Sequence, residues 1–383
     1  MAQSPLNRAP LRIAMLGMRG VPANYGGLEK VAEEIGARLV ERGHHVTAYC
    51  RSNHAATHEP SYRGITRVEL PSFRQKHLDT PTHTTAATLH ALTRASDILH
   101  VFGVGNAAWL PPLNIAGRAT VISVDGMDWR RRKWGFIART LLERSSQLAL
   151  RASGACITDS REVARWYLAR YGREPHYIAH GVDIRECAGR AALQAYGLEE
   201  RGYVLFVGRV TPEKGVHHLI EAFRDLTTDK ALVIVGDGSS DVEYWKSLHL
   251  RAAGHRNVRL LGPVYGEAVR ELFANAYLYV QPSEVEGTAL SLVEAMGAGN
   301  CVLVSDIPEN VETVGDAGVT FDITQPVESL RQRLAEMLAA PSIVAQHRRR
   351  SLAYAREHFS WQRVTDAHEE LYYAALAAKR RRD

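Results

Sequence analysis

Short apolar runs alternate with helical patterns along this chain, and this alternation is the feature that most limits its fold. The runs at 11–16, 98–102 and 231–235 have the length and composition of buried strands. Amphipathic patterns of helical period lie between such runs, for example at 27–42 and 216–226. Alternating strands and helices predict a doubly wound α/β sheet, in which helices cover both faces of parallel strands.

The alternating series occurs twice, and 383 residues are a suitable length for two domains. We predict a first Rossmann-like domain at 1–182, a second at 183–358, and a final helix with a basic tail at 359–383. In open sheets of this kind, ligands bind beyond the carboxyl ends of the strands. The predicted fold is therefore two doubly wound domains that face a cleft.

Charge and cysteine content restrict the class of protein. The net charge is +5, and basic runs occur at 130–133 and 379–382. These runs either form a solvated face or contact an anionic partner such as membrane lipid, a lipid-linked diphosphate or nucleic acid. The four cysteines contain no CxxC pair, which favours reduced thiols over a disulfide framework or a zinc site.

The distribution of apolar residues bears on the location of the protein. No stretch approaches the roughly 18 apolar residues of a membrane span, and the N-terminus lacks the pattern of a secretory signal. We therefore expect a cytoplasmic protein. The basic runs further favour peripheral attachment of the protein at the inner membrane face.

A glycine-rich loop at 17–29 follows the first predicted strand and opens the first helix. Glycine allows a backbone to approach a ligand closely, and helix N-terminal amides attract anions. The pair Gly26 and Gly27 therefore favours a ligand-facing loop over a purely structural turn. The loop has neither the G-x-G-x-x-G spacing nor a P-loop, which disfavours a dehydrogenase.

Asp125 directly follows the apolar run at 120–124 and precedes a segment with two tryptophans and four basic residues. An acid at a strand end can act as a base or orient a substrate. The alternatives are a helix N-cap and a turn aspartate. Trp129 and Trp134 either belong to the core or stack on a sugar ring.

Arg209 and Lys214 flank the turn after the strand at 203–207, and Gly208 separates that strand from the arginine. Two neighbouring cations can neutralise a diphosphate without a metal. Fixed positive charge contributes most where negative charge develops, which is on a departing phosphate. We therefore predict that this pair binds the diphosphate of a nucleotide, the alternative being an ordinary surface pair.

Two further strand ends carry glycine. Gly236 and Gly238 follow the strand at 231–235, and Val264 comes after the next strand, behind Gly262 and Pro263. Each is a weak signal alone, because glycine commonly ends strands. In series, these strand ends predict a rim for a nucleobase.

Glu286 and Glu294 are separated by seven residues at a predicted junction of loop and helix, for which we expect a helix over 288–298. Carboxylates suit the hydroxyls of sugars: Glu294 can hold two ribose hydroxyls and Glu286 a hydroxyl of a donor sugar. Glutamate is common in helices, but Glu294 lies in an apolar stretch, where a charge requires a partner. With the two cations, this acidic pair predicts a nucleotide-sugar site.

These motifs resemble those of the family-4 glycosyltransferases, which have the GT-B fold. The resemblance rests on Val207-Gly208-Arg209 with Lys214-Gly215, on Gly236-Asp237-Gly238, and on Glu286-Gly287 through Glu294-Ala295-Met296. It implies retaining transfer from a nucleoside-diphosphate sugar, with no metal and no separate cofactor. It also implies that the final helix crosses back onto the first domain.

The resemblance further implies roles for individual residues at the matching positions. Arg209 and Lys214 would bind the diphosphate, Glu294 the ribose and Glu286 the donor sugar. The backbone amides of three further residues would approach the phosphates: Thr288, Ala289 and Leu290. The catalytic residues that we predict are Asp125, Glu286, Arg209 and Lys214.

Two segments of the first domain resemble a rhamnosyltransferase-like subgroup that builds bacterial surface polysaccharides. They are the stretch from Arg19 to Gly27 and the stretch from Asp125 to Trp134. The chain departs from the wider family at two points. Asp125 stands where many members have a histidine, and Thr-Ala-Leu-Ser follows Gly287 in place of the commoner Phe-Gly-Leu-Pro.

We therefore predict a retaining glycosyltransferase that moves a hexose or deoxyhexose from a UDP or dTDP sugar to a lipid-linked or polysaccharide acceptor. A nucleotide-sugar epimerase of the same fold is an alternative, which would convert the donor without an acceptor. A basic nucleic-acid-binding protein is an alternative from another class. No recognised nucleic-acid-binding motif supports it, so we expect no nucleic-acid partner.

Overall fold

The structure is a computed structural model that describes residues 8–23, 27–55, 57–75, 78–124, 126–127, 129, 135–184, 189–236, 238–239 and 241–381. The chain divides into two compact units. Unit 1 comprises Met1–Gly181 and Trp361–Asp383, and unit 2 comprises Val182–Ser360. The predicted boundaries, after residues 182 and 358, lie within two residues of this division.

The two units are built from parallel strands and intervening helices. The strands are β1 (Arg12–Leu16), β2 (His45–Arg51), β3 (Ser61–Tyr62), β4 (Ile65–Leu70), β5 (Ile98–Phe102), β6 (Ala119–Val124), β7 (Ala155–Thr158), β8 (His176–Tyr177), β9 (Tyr203–Val207), β10 (Ala231–Val235), β11 (Val258–Gly262), β12 (Leu278–Gln281), β13 (Cys301–Ser305) and β14 (Val319–Phe321). The α-helices are α1 (Gly27–Glu41), α2 (Asp79–Leu92), α3 (Leu110–Ile115), α4 (Phe136–Ala152), α5 (Arg161–Tyr171), α6 (Ala191–Ala195), α7 (Val216–Arg224), α8 (Val242–Ala252), α9 (Gly266–Asn275), α10 (Leu290–Gly297), α11 (Pro308–Val314), α12 (Pro326–Ala339), α13 (Pro341–His358) and α14 (Trp361–Arg380).

Unit 1 contains a sheet in the order β3-β4-β2-β1-β5-β6-β7-β8. Its strands pair in parallel except at one edge, where β3 and β4 form an antiparallel pair. The central strand β5 is buried at every residue, as expected for a parallel strand with helices on both faces. The sequence-based prediction of a doubly wound sheet is therefore confirmed for this unit.

The last helix, α14, belongs to unit 1 although it follows unit 2 in the chain. Trp361, Val364, Tyr372 and Ala375 on this helix are buried in the same apolar cluster as residues of α1 and β1. The helix is also tied to the sheet by a hydrogen bond of 2.8 Å between the Tyr372 hydroxyl and Nδ1 of His100. The expected return of the final helix to the first domain is thus present in the structure.

Unit 2 contains a parallel sheet in the order β11-β10-β9-β12-β13-β14. Val204, Phe206, Leu232 and Ile234 alternate along β9 and β10 and are buried in one cluster, with α7, α12 and α13 contributing further side chains. The ends of the unit meet, because the Val182 amide donates to the Phe359 carbonyl over 2.7 Å. This is the second doubly wound sheet that the sequence predicted.

Several elements were not predicted from the sequence, notably β4, α2, α5 and α13. Helix α2 has the sequence DTPTHTTAATLHAL, and α13 contains PSIVAQHRRRSLAYAREH. Neither has a continuous apolar stripe, since threonines or basic residues occupy much of each helix, so the periodic signal that indicates a helix is weak. The predicted helix at 288–298 was wrong at its start, because α10 begins at Leu290.

Two further observations concern cysteines and membrane spans. Cys50, Cys156 and Cys301 are buried and form no disulfide, while Cys187 lies outside the described residues. None of the helices in the described part of the chain combines the length and apolar composition needed to cross a bilayer.

Candidate functional site

Four neighbouring strands of unit 2 bring the predicted site residues to one edge of the sheet. The order β11-β10-β9-β12 is parallel throughout, so the carboxyl ends of these strands lie side by side. Arg209 follows β9, Gly236 follows β10, Val264 follows β11, and Glu286 lies in the segment after β12. This is the edge at which ligands bind in open α/β sheets.

Two glycines allow the strand ends to pack against each other without intervening side chains. The Gly208 amide donates to the Val235 carbonyl, and the Gly236 amide donates to the Gly262 carbonyl, each over 3.0 Å. A Cβ atom on Gly236 would lie 1.9 Å from the Gly208 carbonyl oxygen, so no larger residue fits there. Val264, the third predicted rim position, is buried.

Lys214 ends a short 3-10 turn, Pro212–Lys214, that follows β9. The next residue, Gly215, has a φ of +67° and approaches the segment after β12 so closely that a Cβ atom would lie 2.0 Å from the Pro282 carbonyl oxygen. Only glycine combines this backbone conformation with such a contact. The turn is therefore held against the segment that carries Glu286.

Lys214 and Glu286 form a buried ion pair between Nζ and Oε1, with side chains that are 12% and 6% exposed. The Gln281 Nε2 and the Ser283 Oγ each donate to the same carboxylate oxygen over 2.7 Å. Three donors thus converge on Oε1, and Oε2 forms no hydrogen bond with a described residue. The sequence assigned Lys214 and Glu286 to different parts of a ligand, whereas the structure brings them into direct contact.

Gln281 and Ser283 are site residues that the sequence analysis missed. Both are fully buried polar residues, and they hold the Glu286 carboxylate in one orientation. The available signal was their position, because polar side chains at the end of the apolar strand β12 and just beyond it need partners when buried.

Tyr279 connects the ends of β9 and β12 to the start of α10. Its hydroxyl lies 3.3 Å from the Val207 carbonyl oxygen and 3.1 Å from Oγ of Ser291, and it also contacts Oε1 of Gln281. Burial raises the pKa of Tyr279 far above its ordinary value, and the negative charges of Glu286 and Glu294 raise it further. The hydroxyl is therefore a neutral anchor close to both predicted carboxylates.

Glu294 lies on α10, three residues after Ser291, and is partly buried. Residues three apart lie on the same face of a helix, so Glu294 shares the face that meets Tyr279. Both predicted acids, Glu286 and Glu294, are consequently found in one region of unit 2.

Arg209 is partly buried, and its guanidinium forms no ion pair or hydrogen bond with any residue that the structure describes. Helix α10 begins after Ala289 without a side-chain cap. The first amides of a helix lack partners within the helix, and Thr288, Ala289 and Leu290 lie at this end. An unpaired arginine and an uncapped helix start both suit an anion.

The predicted loop of unit 1 is only partly within the described residues, since Gly26 lies outside them. Gly27 is the first residue of α1. Two buried glutamates of this helix fix the preceding loop: Oε1 of Glu29 accepts from the Arg19 amide over 2.9 Å, and Oε2 of Glu33 accepts from the Ala23 amide over 2.7 Å. The loop is thus attached to α1 by charged hydrogen bonds.

Other predicted residues lie outside the described part of the chain. They are Asp125, Asp237 and the run from Arg130 to Trp134. Trp129 is described and is buried against Trp166, with ring centroids 4.7 Å apart, which identifies it as a core residue. Gly238 packs closely on Trp245, since a Cβ atom there would lie 2.5 Å from that ring.

Unit 1 contains a buried pair that the sequence analysis did not identify. Oδ2 of Asp159 lies 2.8 Å from Nε2 of His180, and both side chains are 10% exposed. Asp159 follows Thr158, the register partner of Val124 on the neighbouring strand. An acid directly after a parallel strand was the signal for this pair, as it was for Asp125.

Among the described residues, His217, His218 and Glu284 also lie close enough together to hold a metal ion. Their ligand atoms are all within 4.8 Å of one another. This group lies in unit 2, beside the segments that carry Lys214 and Glu286.

Two family models match the chain, one in each half. The model for "Glycosyltransferase Family 4" matches residues 25–186, and the model for "Glycosyl transferases group 1" matches residues 191–358. Together they cover every strand of both sheets except β1, and neither extends to the last helix.

Curated relatives are similar over part or nearly all of the chain. The O-antigen chain mannosyltransferase B of Escherichia coli is 32% identical over 178 residues, which are 45% of this chain and 46% of that protein. The alpha-maltose-1-phosphate synthase of Mycolicibacterium smegmatis is 26% identical over 402 aligned residues, covering 94% of this chain and 99% of that protein.

Solved structures share the fold at low sequence identity. The sucrose-phosphate synthase of Thermosynechococcus elongatus has a TM-score of 0.82 and 18% identity, covering 97% of this chain and all of that chain. Anabaena Alr3699/HepE in complex with UDP and glucose has a TM-score of 0.77 and 19% identity, covering 94% and 98%. These similarities establish the GT-B fold.

Proposed function

We propose that this chain, which has the GT-B fold, is a family-4 glycosyltransferase with a specific reaction. A hexose or deoxyhexose moves from a nucleoside-diphosphate sugar to a hydroxyl of a lipid-linked or polysaccharide acceptor, with retention of configuration. The single observation that supports this most is the convergence of Arg209, Lys214 and Glu286 at one sheet edge, beside the uncapped start of α10.

The diphosphate of the donor is assigned to Arg209, Lys214 and the first amides of α10. A guanidinium presents planar donors that match phosphate oxygens, while an ammonium acts as a compact charge. Negative charge grows on the diphosphate as its bond to the anomeric carbon breaks, and prepositioned cations stabilise that charge. Because these groups supply the positive charge themselves, the proposed reaction needs no metal ion.

The sugar and the ribose are assigned to the two carboxylates. Oε1 of Glu286 already accepts from three donors, which leaves Oε2 to accept from a hydroxyl of the donor sugar. Lys214 neutralises Glu286, so this carboxylate can lie near a diphosphate without strong repulsion. Glu294, partly buried on α10, is the proposed partner of the ribose hydroxyls, and Gly236, Gly238 and Val264 form the proposed rim for the base.

Retention follows if the acceptor oxygen bonds to the anomeric carbon on the face from which the diphosphate departs. A phosphate oxygen takes the proton of the acceptor hydroxyl as the new bond forms. The products are the glycosylated acceptor and the free nucleoside diphosphate. Asp125 is proposed to orient the acceptor or the donor sugar, and an Asp125→Ala variant with full turnover would remove it from the reaction.

The donor and the acceptor are proposed by class. The resemblance of the unit 1 segments to a rhamnosyltransferase-like subgroup favours rhamnose or glucose carried on dTDP or UDP. A solved structure of the same fold holds UDP and glucose, and one relative is named as an O-antigen chain mannosyltransferase. Surface-polysaccharide intermediates are therefore the proposed acceptors.

Peripheral contact with an anionic membrane is proposed for one helix of unit 1. Phe136, Ile137 and Leu141 on α4 are 84%, 83% and 65% exposed, and Arg139 and Arg144 on the same helix are exposed as well. A helix with apolar and basic exposed residues suits a membrane interface. Co-sedimentation with anionic vesicles at low salt, reduced in an Ile137→Ser/Leu141→Ser variant, tests this attachment.

Donor binding is the most direct test of the proposed reaction. Thermal shifts with UDP, dTDP, GDP and ADP, and with their sugars, identify the nucleotide, because a ligand that binds the folded state raises its stability. Titration calorimetry then measures affinity. A charged hydrogen bond contributes about 1.5–3 kcal/mol, so Lys214→Ala should weaken binding of the selected nucleotide about 10- to 150-fold.

A matched control is available in the same unit. Lys246 on α8 is exposed and lies outside the proposed site, so Lys246→Ala should bind the nucleotide as the natural chain does. Equal affinity in Lys214→Ala, Arg209→Ala and Lys246→Ala would contradict the proposed diphosphate site. Product analysis by NMR decides between retention and inversion, and conversion of the donor without acceptor would indicate an epimerase.

A further inference from the structure

We propose that His217, His218 and Glu284 bind a divalent transition-metal ion of the zinc class, outside the transferase reaction. The two histidines occupy the first turn of α7, and Glu284 lies in the segment after β12. Two elements that are far apart in sequence therefore supply one set of two nitrogen ligands and one oxygen ligand. This donor set suits zinc, nickel or copper rather than magnesium or calcium, which prefer oxygen alone.

The spacing of the side chains is compatible with a shared metal ion. Nε2 of His218 lies 3.4 Å from Oε1 of Glu284, which is longer than an ordinary hydrogen bond. In a tetrahedral zinc site with bonds of about 2.1 Å, two ligand atoms are separated by roughly 3.4 Å. All three ligand atoms lie within 4.8 Å of one another, so small side-chain movements would complete the set.

Tyr244 orients the first histidine. Its hydroxyl lies 2.8 Å from Nδ1 of His217 and also accepts from the His217 backbone amide over 3.2 Å. When Nδ1 carries the proton and donates to the tyrosine oxygen, the lone pair of the ring lies on Nε2, which is the nitrogen that would bind a metal. Partners of this kind fix the tautomer and ring orientation of metal-binding histidines.

The environment of His218 is separate evidence for a bound ligand. Nδ1 of His218 is buried and has no hydrogen-bond partner among the described residues. The ring therefore depends on Nε2 for its polar interactions, and this is the atom that faces Glu284. The two imidazole rings have centroids only 3.8 Å apart, so both histidines present their rings to the same small region.

A metal at this position would cross-link two segments of unit 2. His217 follows Lys214 by three residues, and Glu284 precedes Glu286 by two. The Glu284 amide already donates to the Glu213 carbonyl over 2.9 Å, so the segments are in contact without a metal. Three protein ligands leave a fourth position for water in a tetrahedral site. The expected role of the ion is to stabilise this part of unit 2.

Zinc titration of the full chain, free of affinity tags and pretreated with a chelator, tests the site. Calorimetry in the presence of a competing chelator should give one tight equivalent of zinc per chain, and magnesium should not bind there. Glu284→Gln and His218→Ala should each weaken zinc binding at least about 100-fold, since even partners of ligands contribute 10- to 100-fold. Tyr244→Phe should weaken it about 10-fold.

His249 on α8 provides the control, because it is an exposed histidine of the same unit and lies outside the group. His249→Ala should bind zinc as the natural chain does, and zinc should raise the melting temperature of both proteins but not of Glu284→Gln. Circular dichroism before titration verifies that each variant is folded. Unchanged zinc affinity in folded Glu284→Gln, or the absence of a tight equivalent in the natural chain, would overturn the proposal.

Discussion

Glu34 in unit 1 and Glu286 in unit 2 are both buried glutamates, but they are held in different ways. Glu34 has three cationic partners: Lys30 at 2.6 Å, Arg63 at 2.9 Å, and Arg38. Two of these partners are four residues away on the same helix. Among the residues that the structure describes, Glu286 contacts one cation, Lys214, which is 72 residues away, and its other donors are neutral.

This difference distinguishes Glu34, whose charge stabilises the fold, from Glu286, whose charge is a candidate for binding a ligand. The excess of cations around Glu34 satisfies both of its carboxylate oxygens, because Lys30 and Arg63 contact Oε1 and Arg38 contacts Oε2. The donors around Glu286 converge on one oxygen, at the sheet edge where ligands bind. Burial of a glutamate therefore does not by itself indicate a ligand site. The features that indicate one at Glu286 are its position at the sheet edge and the oxygen Oε2, which accepts no hydrogen bond from a described residue.

The largest expected difference is in the free energy of unfolding when a lysine partner of each glutamate is removed. Lys214→Met leaves the Glu286 carboxylate buried without its counter-charge, which should lower the free energy of unfolding by about 3–5 kcal/mol. Lys30→Met should lower it by at most about 1 kcal/mol, because two arginines still surround Glu34. Urea denaturation measures both. Adding Glu286→Gln to Lys214→Met should restore most of the loss, and equal losses in the two single variants would contradict the comparison.

The next effect is on turnover. Glu286→Gln keeps the shape of the side chain but removes its charge, and it should lower kcat about 100- to 1000-fold, the range found when one stabilising group is removed from an active site. Glu34→Gln should leave kcat unchanged, since Glu34 contacts structural partners alone. Steady-state kinetics with the donor selected by thermal shift provide the measurement. A fully active Glu286→Gln enzyme would show that this carboxylate is structural too.

A third test uses pH. Burial disfavours the charged form of Glu34, but hydrogen bonds from its lysine and two arginine partners outweigh that effect and lower its pKa to about 2. Since the pKa is about 4.5 in the unfolded chain, the charge stabilises the fold by roughly 3 kcal/mol above pH 5. This stability is lost as the pH falls from about 5 to 2. Denaturation midpoints of Glu34→Gln should change less over that range than those of the natural chain.

The smallest expected effect concerns the neutral donors of Glu286. Ser283→Ala removes one of three hydrogen bonds to Oε1 and should cost about 1 kcal/mol, which corresponds to about a fivefold loss in kcat/KM. Ser247→Ala on α8, whose hydroxyl donates to the Tyr244 carbonyl, is the control. An equally large loss in Ser247→Ala would mean that the effect does not pass through Glu286.

Most of the fold could be predicted from residue order because parallel strands are short apolar runs with clear boundaries. The strands at Ile98–Phe102 and Ala231–Val235 were predicted to the residue. Helices without an apolar stripe, such as α13, were missed, since their stability comes from contacts that the local pattern does not display. The start of α10 was misplaced by two residues, because Thr288 and Ala289 lie in the loop before the helix.

The candidate site was predictable at the level of residue types and not at the level of contacts. Residue order was enough to identify two cations and two acids at strand ends, because the alternation of strands and helices brings carboxyl ends to one edge. It did not reveal that Lys214 contacts Glu286, that Gln281 and Ser283 share its oxygen, or that two histidines approach a third acid. Those contacts depend on how separate segments approach each other in space, and spacing along a chain carries no measure of that distance.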